Sequence, residues 1–159
     1  MKYFHPLMHD NFTDRDINAV ISLLNKKGRR LTQHNLVKKF EKAWSKWLGV
    51  KYSVFVNSGS SANLLTLNIL RILKGQGEVI VPTLTWVSDI SSVLHNNLKP
   101  VFVDINPRNL CMSEKDIIKK VNKKTIAVFL SHIQGFNGLS SRLINFLKKR
   151  KIMLIEDVC

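Results

Sequence analysis

Two hydrophobic periodicities divide the chain. From Thr13 to Leu24 the apolar residues Ile17, Val20, Ile21 and Leu24 recur at helical spacing, and from about Asn35 to Leu48 Leu36, Phe40, Ala43, Trp44 and Trp47 form a second such stripe. Thr13 is placed to cap the first helix, Asp14 and Asp16 suit its first turn, and Gly49 ends the second. The aromatic stripe predicts core packing. Residues 1–50 therefore read as an amino-terminal arm with helices.

Beyond them the pattern changes to short β-rich runs at Tyr52–Val56, Val79–Pro82, Pro100–Asp104, Thr125–Leu130 and Met153–Asp157. Helical patterns lie between them at about Ser61–Leu73, Val87–His95, Glu114–Val121 and Leu139–Lys149. This alternation predicts an α/β fold, a mostly parallel sheet with helices on both faces, over residues 51–159. Ligands of such sheets bind beyond the carboxyl ends of the strands. The residues to inspect are thus Asn57-Ser58-Gly59-Ser60-Ser61-Ala62, Thr83-Leu84-Thr85-Trp86, Ser131-His132-Ile133-Gln134-Gly135 and Glu156-Asp157.

Composition narrows the classes. Of 159 residues 45% are hydrophobic and 23% charged, an ordinary globular balance. No run approaches the roughly 18 apolar residues a membrane helix needs, and the start, Met1 to Pro6, lacks a signal-peptide stretch, so a cytoplasmic location is expected. Cys111 and Cys159 have no metal-ligand spacing and read as free thiols. The net charge of +14 raises a nucleic-acid reading, but it is spread: residues 1–50 hold 10 Lys/Arg against 4 Asp/Glu, and residues 51–159 hold 15 against 7. Clusters such as Lys148-Lys149-Arg150-Lys151 fall at helix ends, where cations suit the dipole. The distribution fits a solvated lysine-rich surface, and no nucleic-acid partner is expected. A non-catalytic, basic nucleotide-binding α/β protein stands as the alternative of another class.

Three strand ends carry candidate chemistry. Gly59-Ser60-Ser61 opens a helix straight after a β-rich run, so backbone N–H groups and hydroxyls would face an anion such as a phosphate. Neither a P-loop nor a G-x-G-x-x-G fingerprint is present. Trp86, after the second run, offers an indole to stack on a planar ring. Glu156-Asp157 closes an apolar strand, where a carboxylate can hold a ring nitrogen protonated. Each feature has an ordinary structural use as helix cap, core tryptophan or strand-end acid; together they outline a phosphorylated heteroaromatic cofactor.

The stretches Leu31-Thr32, Phe40-Glu41, Val56-Asn57-Ser58-Gly59-Ser60-Ser61-Ala62, Glu78-Val79-Ile80-Val81-Pro82, Pro100-Val101-Phe102-Val103-Asp104 and Ile155-Glu156-Asp157 resemble, in order and interval, the DegT/StrS-type sugar aminotransferases. The resemblance implies the first part of a pyridoxal-phosphate fold-type-I large domain over 51–159. It implies pyridoxal 5'-phosphate (or pyridoxamine 5'-phosphate) with its phosphate on Gly59, Ser60 and Ser61, its ring under Trp86 and its ring nitrogen on Asp157. It also implies a homodimer, with the segment near Thr32 assisting substrate binding, and it puts His132 in a loop that lines the site, although His132 itself reads as structural rather than catalytic. The family's chemistry moves an amino group from an amino-acid donor such as glutamate to a keto sugar on a nucleotide diphosphate, for lipopolysaccharide or other polysaccharide synthesis. Its Schiff-base lysine lies beyond the carboxylate strand, so no lysine here is assigned as catalytic and residues 1–159 alone are expected to be inactive. The wording from Val56 to Leu65, with Asp157-Val158-Cys159, also resembles the sugar 3-dehydratases of the same family, which use pyridoxamine phosphate and a histidine in place of that lysine.

Overall fold

The computed structural model describes residues 10–158; Met1 to Pro6 and Cys159, named above, lie outside them. The chain divides into two compact units, Met1–Phe55 and Val56–Cys159.

In the first unit, α1 (Asp14–Leu24) begins with a capping box: the Asp16 N–H donates to the Thr13 hydroxyl, and the Thr13 N–H donates to the Asp16 carboxylate. α2 (Asn35–Leu48) ends at Gly49, whose φ of 76° places it in the left-handed region that favours glycine. The expectation that the α2 stripe forms a core is corrected. No residue of α2 is buried, and Trp47 is 74% exposed. Phe40, Trp44 and Trp47 instead pack along their own helix, with Phe40 edge-on to Phe55 at 5.4 Å.

The expected strand at Tyr52–Val56 is likewise corrected, because its residues join no ladder among the described residues. The segment is extended but tied to α2 instead: the Phe55 N–H donates to Glu41 at 2.9 Å, and the Ser45 and Ser53 hydroxyls meet at 2.7 Å. β propensity alone does not make a strand without a partner row of N–H and C=O groups.

In the second unit, β1 (Glu78–Pro82), β2 (Lys99–Val103), β3 (Thr125–Ser131) and β4 (Met153–Asp157) form one parallel sheet in the order β2-β1-β3-β4. The helices are α3 (Gly59–Lys74), α4 (Val87–His95), α5 (Glu114–Lys120) and α6 (Ser141–Arg150). The strand period of two sorts alternate residues to opposite faces. Val79, Val81, Ala127 and Phe129 pack with Leu67 and Leu70 of α3 and Val93 of α4. Ile80, Val128 and Leu130 pack with Ile117 of α5 and with Leu143 and Leu147 of α6. β1 is buried throughout, as a central parallel strand covered on both faces should be.

The strand order has a functional consequence. The chain leaves β1 toward β2 on one side, then returns to place β3 on the other. The topological switch point lies between β1 and β3, where the two diverging connections open a crevice at the carboxyl ends.

Candidate functional site

At that switch point the structure has a cleft of about 750 Å³. Its walls include Gly59 and Ser60 from the start of α3, Trp86 from the turn after β1, His132 and Gln134 after β3, and Asp157 at the end of β4. Four of the five residues selected from sequence thus share one cavity. Ser61 is not on its wall: its N–H donates to the Ser58 hydroxyl at 3.1 Å, and the two hydroxyls also meet.

Local structure sets each wall. Ser58 caps α3 with extended backbone, so its carbonyl accepts from Ala62 and its hydroxyl from Ser61. The Gly59 and Ser60 N–H groups lead the helix with no carbonyl four residues earlier to accept them within it. They point the positive end of a 16-residue helix at the cleft. A side chain built at Gly59 would meet no atom within 4 Å, so the space before the helix is open to a ligand. Trp86 is the residue before α4 and is 72% exposed, presenting its indole to the cavity rather than to the core.

Asp157 is tied to the same helix start. Asn63, one turn into α3, is nearly buried, and its side-chain amide donates to Asp157 at 3.1 Å and to Asp89 at 2.8 Å. Asp89, in the first turn of α4, is fully buried. It accepts hydrogen bonds from Thr85 and Ser131, whose hydroxyls also lie 2.6 Å from each other. Burial pushes the Asp89 carboxyl above the ordinary aspartate range, the hydroxyls of Ser131 and Thr85 oppose that, and the negative Asp157 beside it adds to the rise.

His132 lines the cleft, but its ring is engaged. Nδ1 accepts from the Gly138 N–H at 3.3 Å, leaving Nε2 to bond Glu156 at 3.0 Å, while the His132 N–H donates to the Asp157 carbonyl at 2.9 Å. Cys111 is buried with a free thiol that donates to the Phe136 carbonyl at 3.2 Å, and burial raises it above the usual thiol range. Among the described residues no helix is long and apolar enough to cross a membrane.

Sequence reasoning missed Asn63 and Asp89 in the polar lining of the cleft, where they join Thr85 and Ser131 from the inspected strand ends. The available signal was a polar residue on a face otherwise given to burial. Asn63 lies four residues before the buried Leu67, and Asp89 lies four before the buried Val93.

Comparison with known proteins gives a consistent picture. The sequence pattern of the DegT/DnrJ/EryC1/StrS aminotransferase family matches residues 11–159. The chain is 33% identical over 123 residues to GDP-perosamine synthase of Escherichia coli O157:H7, covering 77% of the chain and 34% of that protein. It is 30% identical over 161 residues to GDP-4-keto-6-deoxy-D-mannose 3-dehydratase of Escherichia coli O55:H7, covering 98% of the chain and 41% of that protein. The solved E. coli GDP-4-keto-6-deoxy-D-mannose-3-dehydratase with bound hydrated PLP matches with a TM-score of 0.88 at 31% identity, over 98% of this chain and 41% of that one. The chain thus spans about a third to two fifths of the length of the curated relatives it matches.

Proposed function

Because the chain belongs to the DegT/DnrJ/EryC1/StrS aminotransferase family, with the fold of the corresponding part of its pyridoxal-phosphate fold-type-I members, we propose that its cleft is the cofactor-binding part of a sugar aminotransferase. The observation that carries this reading is the convergence of a helix start, an exposed indole and a strand-end carboxylate on one cavity. In this reading residues 51–159 are the first part of the large domain. The activity is transfer of an amino group from an amino acid such as glutamate to a keto sugar on a nucleotide diphosphate, in the cytoplasm and within a homodimer.

The donor set fits pyridoxal 5'-phosphate. The Gly59 and Ser60 N–H groups and the Ser60 hydroxyl would hold the phosphate dianion, which the helix dipole favours. Ser61 would contribute only indirectly, since its N–H serves the Ser58 cap. Trp86 would cover one face of the ring. Asp157 would accept from the protonated ring nitrogen and hold it charged, with Asn63 fixing the carboxylate's orientation. The cofactor, when bound, supplies an electron sink at the carbon that exchanges the amino group. His132, with its ring committed to Glu156 and Gly138, would shape the wall rather than move a proton.

A second reading is favoured by one observation: the 3-dehydratase match runs over 98% of the chain, the perosamine synthase match over 77%. In that reading the cofactor is pyridoxamine 5'-phosphate and the reaction removes a sugar hydroxyl. The two readings differ in the residue that acts on the cofactor's reactive carbon, lysine or histidine, which residues other than these 159 would have to supply. The test incubates the protein from its complete gene with cofactor, glutamate and a GDP-linked 4-keto sugar. An amino sugar supports transamination and a 3-deoxy keto sugar supports dehydration. Neither product, with no cofactor bound, would overturn both.

A further inference from the structure

Asp89 is a carboxyl group with no exposed surface, in the lining of the cleft that Asp157 shares. Its contacts pose a problem of hydrogen counting. Asp89 Oδ2, Thr85 Oγ1 and Ser131 Oγ each lie within hydrogen-bond distance of the other two. Three contacts between oxygens need three hydrogens, and the two hydroxyls supply two. The Asp157 carboxylate lies beside Asp89, and its charge opposes ionisation of the buried acid. The other oxygen of Asp89 accepts from the Asn63 amide at 2.8 Å, and the same amide reaches Asp157 and Ser88.

We propose that Asp89 carries a proton in the folded protein and acts as a neutral carboxylic acid, a positioning residue that with Asn63 holds Asp157 toward the cleft. The missing hydrogen is then the carboxyl proton. It belongs on Asp89 rather than Asp157 because Asp89 is the fully buried member, whose charge would be the costlier to desolvate. Asp157 is the ionisable group that acts on it. Asn63, Thr85, Ser88 and Ser131 are neutral, and His132, on the same wall, gives its ring to Glu156 and Gly138.

The consequence is a pair carrying one negative charge where two aspartates stand. A single charge matches a single protonated ring nitrogen, so this inference rests on the proposed cofactor for its purpose but not for its geometry. A neutral Asp89 shares the Asn63 amide with Asp157, which fixes the direction of that carboxylate without adding a second negative charge beside the ligand.

The experiment has two arms. The first labels aspartate carboxyl carbons with ¹³C and follows their NMR shifts against pH in the cofactor-free protein, using Asp89→Asn to assign the resonance. The expected result is a midpoint for Asp89 above its ordinary value of 3.8. A resonance that titrates in the ordinary aspartate range would overturn the proposal. The second arm titrates pyridoxal phosphate into the protein from its complete gene and follows the cofactor's absorbance against pH. Asp89→Ala should weaken cofactor binding at least tenfold and displace the absorbance midpoint, and Asp89→Asn, which keeps a donor and an acceptor, should recover most of both losses. Asparagine proving as damaging as alanine would show that an ionised Asp89 is needed and would also overturn the proposal. Should wild type bind no cofactor, the proposed function fails while the NMR arm still decides the state of Asp89.

Discussion

Gly77 gives the sharpest single perturbation of the scaffold that carries the cleft. A Cβ there would lie 2.5 Å from Cγ2 and 3.0 Å from Cγ1 of Ile126, and 2.9 Å from the Lys124 carbonyl oxygen. The backbone cannot retreat, because the Gly77 carbonyl accepts from Lys99 at 3.0 Å and the next N–H, of Glu78, donates to Lys124 at 2.8 Å. Gly77→Ala therefore overpacks the seam between the strand that leads to Trp86 and its neighbour. Overpacking of this kind costs about 1–3 kcal/mol. For a unit of this size each kcal/mol lowers the melting temperature by about 4–8 °C. Ile126→Ala removes two of the three contacts, so the double variant should be more stable than the sum of the two single losses by about 0.5–1.5 kcal/mol. Urea unfolding followed by far-ultraviolet circular dichroism, over all four corners of the cycle, measures this coupling. A Gly77→Ala protein as stable as wild type, or strictly additive variants, would refute the packing argument.

Ser58→Ala should cost about 1 kcal/mol by uncapping α3, read by the same unfolding assay, and should also weaken phosphate binding measured by calorimetry. Trp86→Ala should leave stability nearly unchanged, since the indole is largely exposed, yet weaken cofactor binding by roughly 0.5–1.5 kcal/mol, the scale of one stacking contact, in a fluorescence titration. The hydrogen bond from Asn122 and the ammonium of Lys99 hold Glu78 below the ordinary carboxylate range. The stability it contributes is therefore present above pH 4.5 and lost as pH falls through its lowered native value. Melting temperatures recorded downward from pH 5 should drop more for wild type than for Glu78→Gln. Asp89 runs the other way: its raised carboxyl binds a proton the unfolded chain has lost, so wild type should lose stability relative to Asp89→Asn as pH climbs above 3.8, until the native carboxyl ionises.

The second unit was legible because its signals are local and concordant. Four of the five β-rich runs became strands, and each helix predicted between them formed to within a few residues. Parallel strands buried on both faces announce themselves as short apolar runs, and Ser58, Ser113 and Ser140 cap their helices where polar residues precede an apolar period. The first unit misled because its signals need a partner to act. Tyr52–Val56 has β composition but joins no ladder among the described residues, and the Phe40–Trp44–Trp47 stripe has the periodicity of a core although none of its residues is buried. The cleft was half legible. Gly59, Ser60, Trp86 and Asp157 stand immediately at element ends, where position alone suggests a role. Asn63 and Asp89 act from inside helices, and only their meeting across α3, α4 and β4 gives them meaning.

On the proposed function, one cavity grips one flat, phosphorylated ring. A crystal structure of the protein grown with pyridoxal 5'-phosphate tests it directly. The phosphate should lie at the Gly59 and Ser60 N–H groups, the ring against the Trp86 indole, and the ring nitrogen within hydrogen-bond distance of Asp157. Cofactor bound elsewhere, or in this cleft with its ring nitrogen turned away from Asp157, would contradict it.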